Sequence, residues 1–144
     1  MSLAYMTIEN AIGIHRKTVE VSGGGTLECM DSGRLESVLE HIKNDDYYPT
    51  FEEKLTHLFF CTCKFHCFAD GNKRIAISLP AQFLLLNGYL YVMNSFFTKM
   101  ENISYHVAAG KISKDLLHEV ICAILTSCDD NEELKLKIID AIKD

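Results

Sequence analysis

Apolar residues recur at three- and four-residue intervals along most of the chain, with little of the strict alternation that marks a half-buried strand. The pattern predicts a first helix capped by Thr7 and running to about Val21, with Ile8, Ala11, Ile12 and His15 on its inner face, before Ser22-Gly23-Gly24-Gly25 breaks it. A second helix starts at Asp31 or Ser32 and carries Leu35, Val38, Leu39 and Ile42 at helical spacing until Asn44 to Pro49 ends it. Thr50 and Glu53 form a capping box for a third helix, whose Phe51, Leu55, Leu58 and Phe59 make one apolar face and whose end delivers Phe65 and His66.

The fourth helix, Asn72 to about Asn87, is apolar nearly all round between Ile75 and Leu86, which is the composition of a central, buried helix. It is too short and too interrupted to span a membrane. Pro80 removes a backbone hydrogen bond inside it and should bend it, and Gly88 stops it. Leu90 to Met93 reads as a short extended piece, Ser95 to Gly110 as a fifth helix, and Ser113 to Ser127 and Asn131 to Ile142 as two more. The fold class is therefore all-α: a compact bundle around a buried central helix, with at most one small β-hairpin.

Composition narrows the functional classes. A chain of 144 residues, 48% of them hydrophobic, suffices for one core and is too short for two ordinary domains, so residues 1–144 are read as a single domain. Its net charge of -6 with few clustered cations argues against nucleic acid and favours a basic peptide as partner. Thr7 and Glu9 interrupt any apolar run at the N-terminus, so no secretory signal is read and the expected location is cytoplasmic, away from membranes. Of the six cysteines, Cys61, Cys63 and Cys67 flank His66 in a C-x-C-x-x-H-C arrangement that invites a zinc reading. C-x-C on a helix points its two thiols to different faces, which counts against zinc, and reduced, half-buried thiols are the simpler reading.

The densest chemistry lies at His66-Cys67-Phe68-Ala69-Asp70-Gly71-Asn72-Lys73-Arg74, immediately before the apolar fourth helix. The N-terminus of that helix offers unpaired N–H groups and a partial positive charge, and Gly71 lets the backbone approach a ligand closely. Lys73 and Arg74 in the first turn are disfavoured by the helix dipole unless an anion sits between them. Asp70 is a hard oxygen ligand of the kind that holds Mg²⁺ beside nucleotide phosphates, and His66 can take a proton near neutral pH. The same residues also fit a capped loop with solvated cations and a packed histidine, and the physics alone leaves both readings open.

The nine residues resemble the signature of the Fic/Doc superfamily, H-x-F-x-D/E-G/A-N-G/K-R, with every fixed position filled. Lys73 stands where the Doc (death-on-curing) branch carries lysine in place of glycine, and Ile77 stands where the Fic branch usually has a second arginine. Asp31 to Leu39, D-S-G-R-L-E-S-V-L, and Leu84 to Tyr89, L-L-L-N-G-Y, are similar to further Doc segments, so the resemblance covers roughly residues 7–115 and leaves a helical extension at about 113–143. It implies a Fic/Doc-type helical bundle that uses ATP and Mg²⁺. In it His66 would be the catalytic base, Asp70 the metal ligand, and Gly71, Asn72, Lys73 and Arg74 the phosphate-binding groups. Tyr47 and Tyr48 fall near where the family carries a flap that docks the target as an added strand; surface loop aromatics are the plainer reading. The Doc branch implies a kinase that moves the γ-phosphoryl group to a Ser or Thr hydroxyl of a target protein such as a translation factor. A Fic-type AMP transferase is the alternative. A catalytically silent binding module is a third reading, favoured by Cys67 and Ile75, which depart from residues common at those positions.

Family members without an inhibitory S/T-x-x-x-E-G/N helix are held off by a separate antitoxin. Here Ser32 to Glu36 has the spacing, but Ser37 follows where glycine or asparagine should. An antitoxin whose C-terminal segment folds onto the chain is therefore an expected partner.

Overall fold

The computed structural model describes residues 3–21, 32–65, 72–126 and 131–143; the expected break at Ser22 to Gly25 and the motif residues 66–71 lie outside this set, as do the side chains of His15, residues 18–21, Ser32, Phe65 and residues 72–76. Among the described residues there are seven α-helices and no strand: α1 (Ile8–Val21), α2 (Ser32–His41), α3 (Phe51–Phe65), α4 (Asn72–Leu86), α5 (Met93–Ala108), α6 (Lys114–Leu125) and α7 (Glu132–Ile142).

The helix starts follow from local hydrogen bonds. Thr7 and Asn10 satisfy each other's backbone N–H groups, each over 3.1 Å, at the start of α1. Thr50 Oγ1 accepts from the Glu53 amide at 3.1 Å, the N-cap half of the expected capping box, while the Glu53 carboxylate accepts from the Thr50 hydroxyl at 3.3 Å. Ser113 and Asn131 cap α6 and α7 through their side chains. The piece expected to be extended is instead a 3₁₀ turn, Leu90–Val92, that leads directly into α5, which begins at Met93 rather than Ser95. The chain reverses at Gly88, whose φ of 87° suits glycine, and Tyr89 N bonds back to the Leu84 carbonyl at 3.0 Å. Only one tight turn then fits before Val92 must enter the core.

Helices α3 and α4 run antiparallel at the centre. Phe51 at the start of α3 stacks on Phe83 near the end of α4, with ring centroids 4.9 Å apart, and on Tyr89 at 4.7 Å. In α4, Ile77, Leu79, Ala81, Phe83 and Leu84 are buried, as the all-round apolar pattern requires, and the helix continues through Pro80. Leu85 and Leu86 on its last turn are exposed. Helix α3 is also buried on more than its one apolar stripe: Lys54, Thr56, Cys61, Thr62 and Cys63 are buried alongside Leu55, Leu58 and Phe59. Thr56 and Thr62 tolerate burial because their hydroxyls donate to carbonyls one turn back, Glu52 O at 2.7 Å and Leu58 O at 2.9 Å.

The other helices enclose this pair. Asn87 clamps the N-terminal segment to the end of α4, accepting from Ala4 N at 2.8 Å and donating to Ala4 O at 3.0 Å. Lys54 Nζ reaches the Ile42 carbonyl just past α2 at 2.7 Å. Phe59 of α3 and Phe96 of α5 meet edge to face at 6.1 Å, and each such fully buried side chain contributes about 1.5–3 kcal/mol. Leu134 is the buried contact of α7, and a Lys137–Glu119 ion pair of 2.9 Å ties it to α6. No helix among the described residues is long and apolar enough to cross a membrane.

Candidate functional site

The motif joins the C-terminal end of α3 to the N-terminal end of α4, so the packing of these two central helices sets the separation of its ends. His66, Asp70 and Gly71 lie outside the described residues. Asn72, Lys73 and Arg74 form the first turn of α4, as the sequence requires, and that turn holds no acidic residue. A helix N-terminus with two cations and no carboxylate in its first turn has the donor set of an anion site, which fits nucleotide phosphates. Asp70, which would hold Mg²⁺, is the nearest carboxylate in sequence. The last turns of α3 carry Lys64, whose ammonium lies 5.6 Å from the Phe60 ring centroid.

Tyr47 and Tyr48 lie just before α3, where the sequence places them. They precede α3, whereas the motif follows it, and the 15 residues of α3 rise about 22 Å. Residues 46–49 form a turn and irregular chain rather than a strand. Tyr47 is 76% exposed. Tyr48 stacks on His57 with ring centroids 4.5 Å apart, and Lys114 Nζ lies 5.5 Å from the Tyr48 ring centre. The structure therefore groups Tyr48 with the first half of α3 and the start of α6.

That grouping is a polar cluster the linear pattern did not disclose. His57 Nδ1 accepts from Lys114 Nζ at 2.8 Å, and Cys61 Sγ lies 3.6 Å from His57 Nε2. Burial, then Lys114 and His41, push the His57 imidazole down to about 4, so it is neutral at physiological pH. Burial pushes the Cys61 thiol up to about 11, partly offset by Lys114, so it is protonated at physiological pH in this fold. The i, i+4 spacing of His57 and Cys61 was a visible signal; the arrival of Lys114 from α6 was not.

The zinc arrangement gains nothing here. Cys61 and Cys63 are buried free thiols, and among the described residues no group of three His, Cys, Asp or Glu side chains could hold a metal. Cys67 and His66 lie outside that set.

Two comparisons with known proteins bear on the motif. The family model described as Fic/DOC family matches residues 5–84, a span that includes all nine motif residues. Comparison with curated proteins gave no match.

Proposed function

The chain belongs to the Fic/DOC family, whose members are typically transferases that use ATP with Mg²⁺, and from that premise we propose that it is a Doc-like phosphotransferase acting on a protein hydroxyl. The observation that carries the reading is the intact nine-residue motif inside the matched segment, opening directly into the first turn of α4.

In this reading His66 takes the proton from a Ser or Thr hydroxyl of the target. The oxygen attacks the γ-phosphorus of ATP, an O–P bond forms, the bond to the bridging oxygen breaks, and ADP leaves. The α4 N–H groups with Lys73 and Arg74 stabilise the charge that develops on the transferred group, the dominant contribution in phosphoryl transfer. Asp70 would hold Mg²⁺, which would offset the charge of the nucleotide phosphates. Lys73 supports γ-transfer over AMP transfer: a lysine side chain in place of glycine occupies pocket volume and adds a charge, so the nucleotide sits differently. An antitoxin partner and a cytoplasmic location belong to the same reading.

The test is incubation of the chain with Mg²⁺, cell lysate and ATP labelled at either the α or the γ phosphate, in parallel with the His66→Ala variant. Label from the γ position on a protein, lost in the variant, is the expected result. Label from the α position, lost in the same way, would make the chain an AMP transferase. Absence of both labels, with the variant indistinguishable from the parent, would overturn the catalytic reading in favour of a silent binding module.

A further inference from the structure

Among the described residues, one face of α6 is only partly covered. Lys114, His118 and Cys122 recur at four-residue spacing and are each half-buried, so they form a single stripe on that face. On one side of the stripe a cavity of about 340 Å³ is walled by Tyr47, Tyr48 and Thr56. On the other, a cavity of about 420 Å³ lies between α6 and α7 over Ala123 and Leu134. His118 lines both.

The charges along this groove are unevenly matched. Its two lysines are engaged: Lys137 pairs with Glu119 at 2.9 Å, and Lys114 is drawn onto His57 and the Tyr48 ring. Its remaining carboxylates, Glu53, Asp115 and Glu133, make no ion pair among the described residues. Burial, followed by Glu52 and Glu53, pushes the Cys122 thiol up, so negative charge on α3 is felt across the groove. At its mouth stands the largely exposed Tyr47, whose ring face suits a guanidinium or ammonium.

We propose that this groove binds a basic peptide segment of a partner protein. One Arg or Lys side chain lies over Tyr47 and against Glu53 and Asp115, and a second reaches Glu133 past His118. Asp115 and Cys122, which lines the same cavity as Glu133, are separated by about 10 Å along α6; a peptide in the polyproline II conformation covers that in about three residues and returns side chains i and i+3 to one face, so the two basic side chains are spaced at i, i+3. The groove lies beside the first half of α3, whereas the motif follows its far end. Peptide capture is therefore separate from nucleotide chemistry and does not depend on the transferase reading.

The experiment is fluorescence polarisation, without nucleotide, using a labelled decapeptide with arginine at every third position and a counterpart with glutamate at those positions. The arginine peptide should bind at least about tenfold more tightly than its counterpart. A Glu53→Gln/Asp115→Asn/Glu133→Gln variant should lose about tenfold in affinity, while Glu9→Gln/Glu36→Gln/Glu101→Gln, with the same change in net charge on other surfaces, should stay within about twofold. Tyr47→Ala should lose about threefold to fivefold through the missing ring face. Equal losses in the two charge variants would reduce the effect to net charge and overturn the proposal. So would equal binding of the two peptides, or no binding of either. Amide chemical shifts of the unaltered chain give a second readout that needs no variant to fold: shifts at Tyr47, Asp115, His118 and Glu133 on titration are expected, and shifts confined to other surfaces would overturn the assignment.

Discussion

The ammonium of Lys114, the first residue of α6, donates a 2.8 Å hydrogen bond to Nδ1 of His57 in the middle of α3. Acceptance at Nδ1 requires a neutral imidazole with its proton on Nε2, and burial with the nearby Lys114 charge enforces that state.

This pair sets a pH dependence. In the unfolded chain His57 gains a proton as pH falls through about 6.5, whereas in the folded protein it resists until about 4. The unfolded state therefore binds more protons across that window, and stability falls as pH drops from about 6.5 to about 4, then levels off. Discounted for a half-exposed ring, the loss is roughly 1–2 kcal/mol. Urea unfolding of the parent and of His57→Gln at a series of pH values isolates the effect: the variant should show a shallower decline over that range. Parallel curves would show that His57 titrates normally in the fold.

Lys54 is 1% exposed, with its ammonium 2.7 Å from both the Ile42 carbonyl and an Asp45 carboxylate oxygen. It therefore satisfies a carbonyl at the end of α2, where the helix dipole also favours a cation. Lys54→Met keeps most of the volume but leaves that carbonyl unpaired, and should cost about 1–3 kcal/mol. Asp45 is exposed, so Asp45→Asn should cost less than about 1 kcal/mol. Denaturant midpoints of the two variants check the order.

The thiols should divide by environment. Burial pushes Cys61 and Cys63 up to about 11 and about 12, while Cys122 is only half-buried. At pH 8 the native protein treated with iodoacetamide should be alkylated at Cys122 well before Cys61 or Cys63, as read by peptide mass spectrometry. Early alkylation of Cys61 would mean that the His57 cluster opens readily.

At the proposed site, removal of the divalent cation with a chelator should abolish phosphoryl transfer, and Asp70→Ala should do the same at any practical Mg²⁺ concentration. Lys73→Gly should lower γ-label transfer by about a hundredfold, because it deletes one of the two first-turn cations. The ratio of γ to α label on the target is the measurement, and an unchanged ratio with unchanged rate would remove Lys73 from the choice of phosphate.

Much of this protein was determined by local sequence. Thr7, Thr50, Ser113 and Asn131 begin their helices through side-chain bonds to residues two or three positions away, and Gly88 ends its segment by a conformation that favours glycine. The motif itself was legible because its residues are contiguous. The extended reading of Leu90 to Met93 failed because a four-residue apolar run does not reveal the sharp reversal before it, which leaves room only for a 3₁₀ turn.

Tertiary structure alone decided which distant residues meet. Nothing in the sequence brings Lys114 to His57 or sends Lys54 to the end of α2. Caps, turns and helical periodicity act within a few residues and can be read one segment at a time. Pairings between helices depend on how buried faces close against one another, and that closure is a property of the whole core.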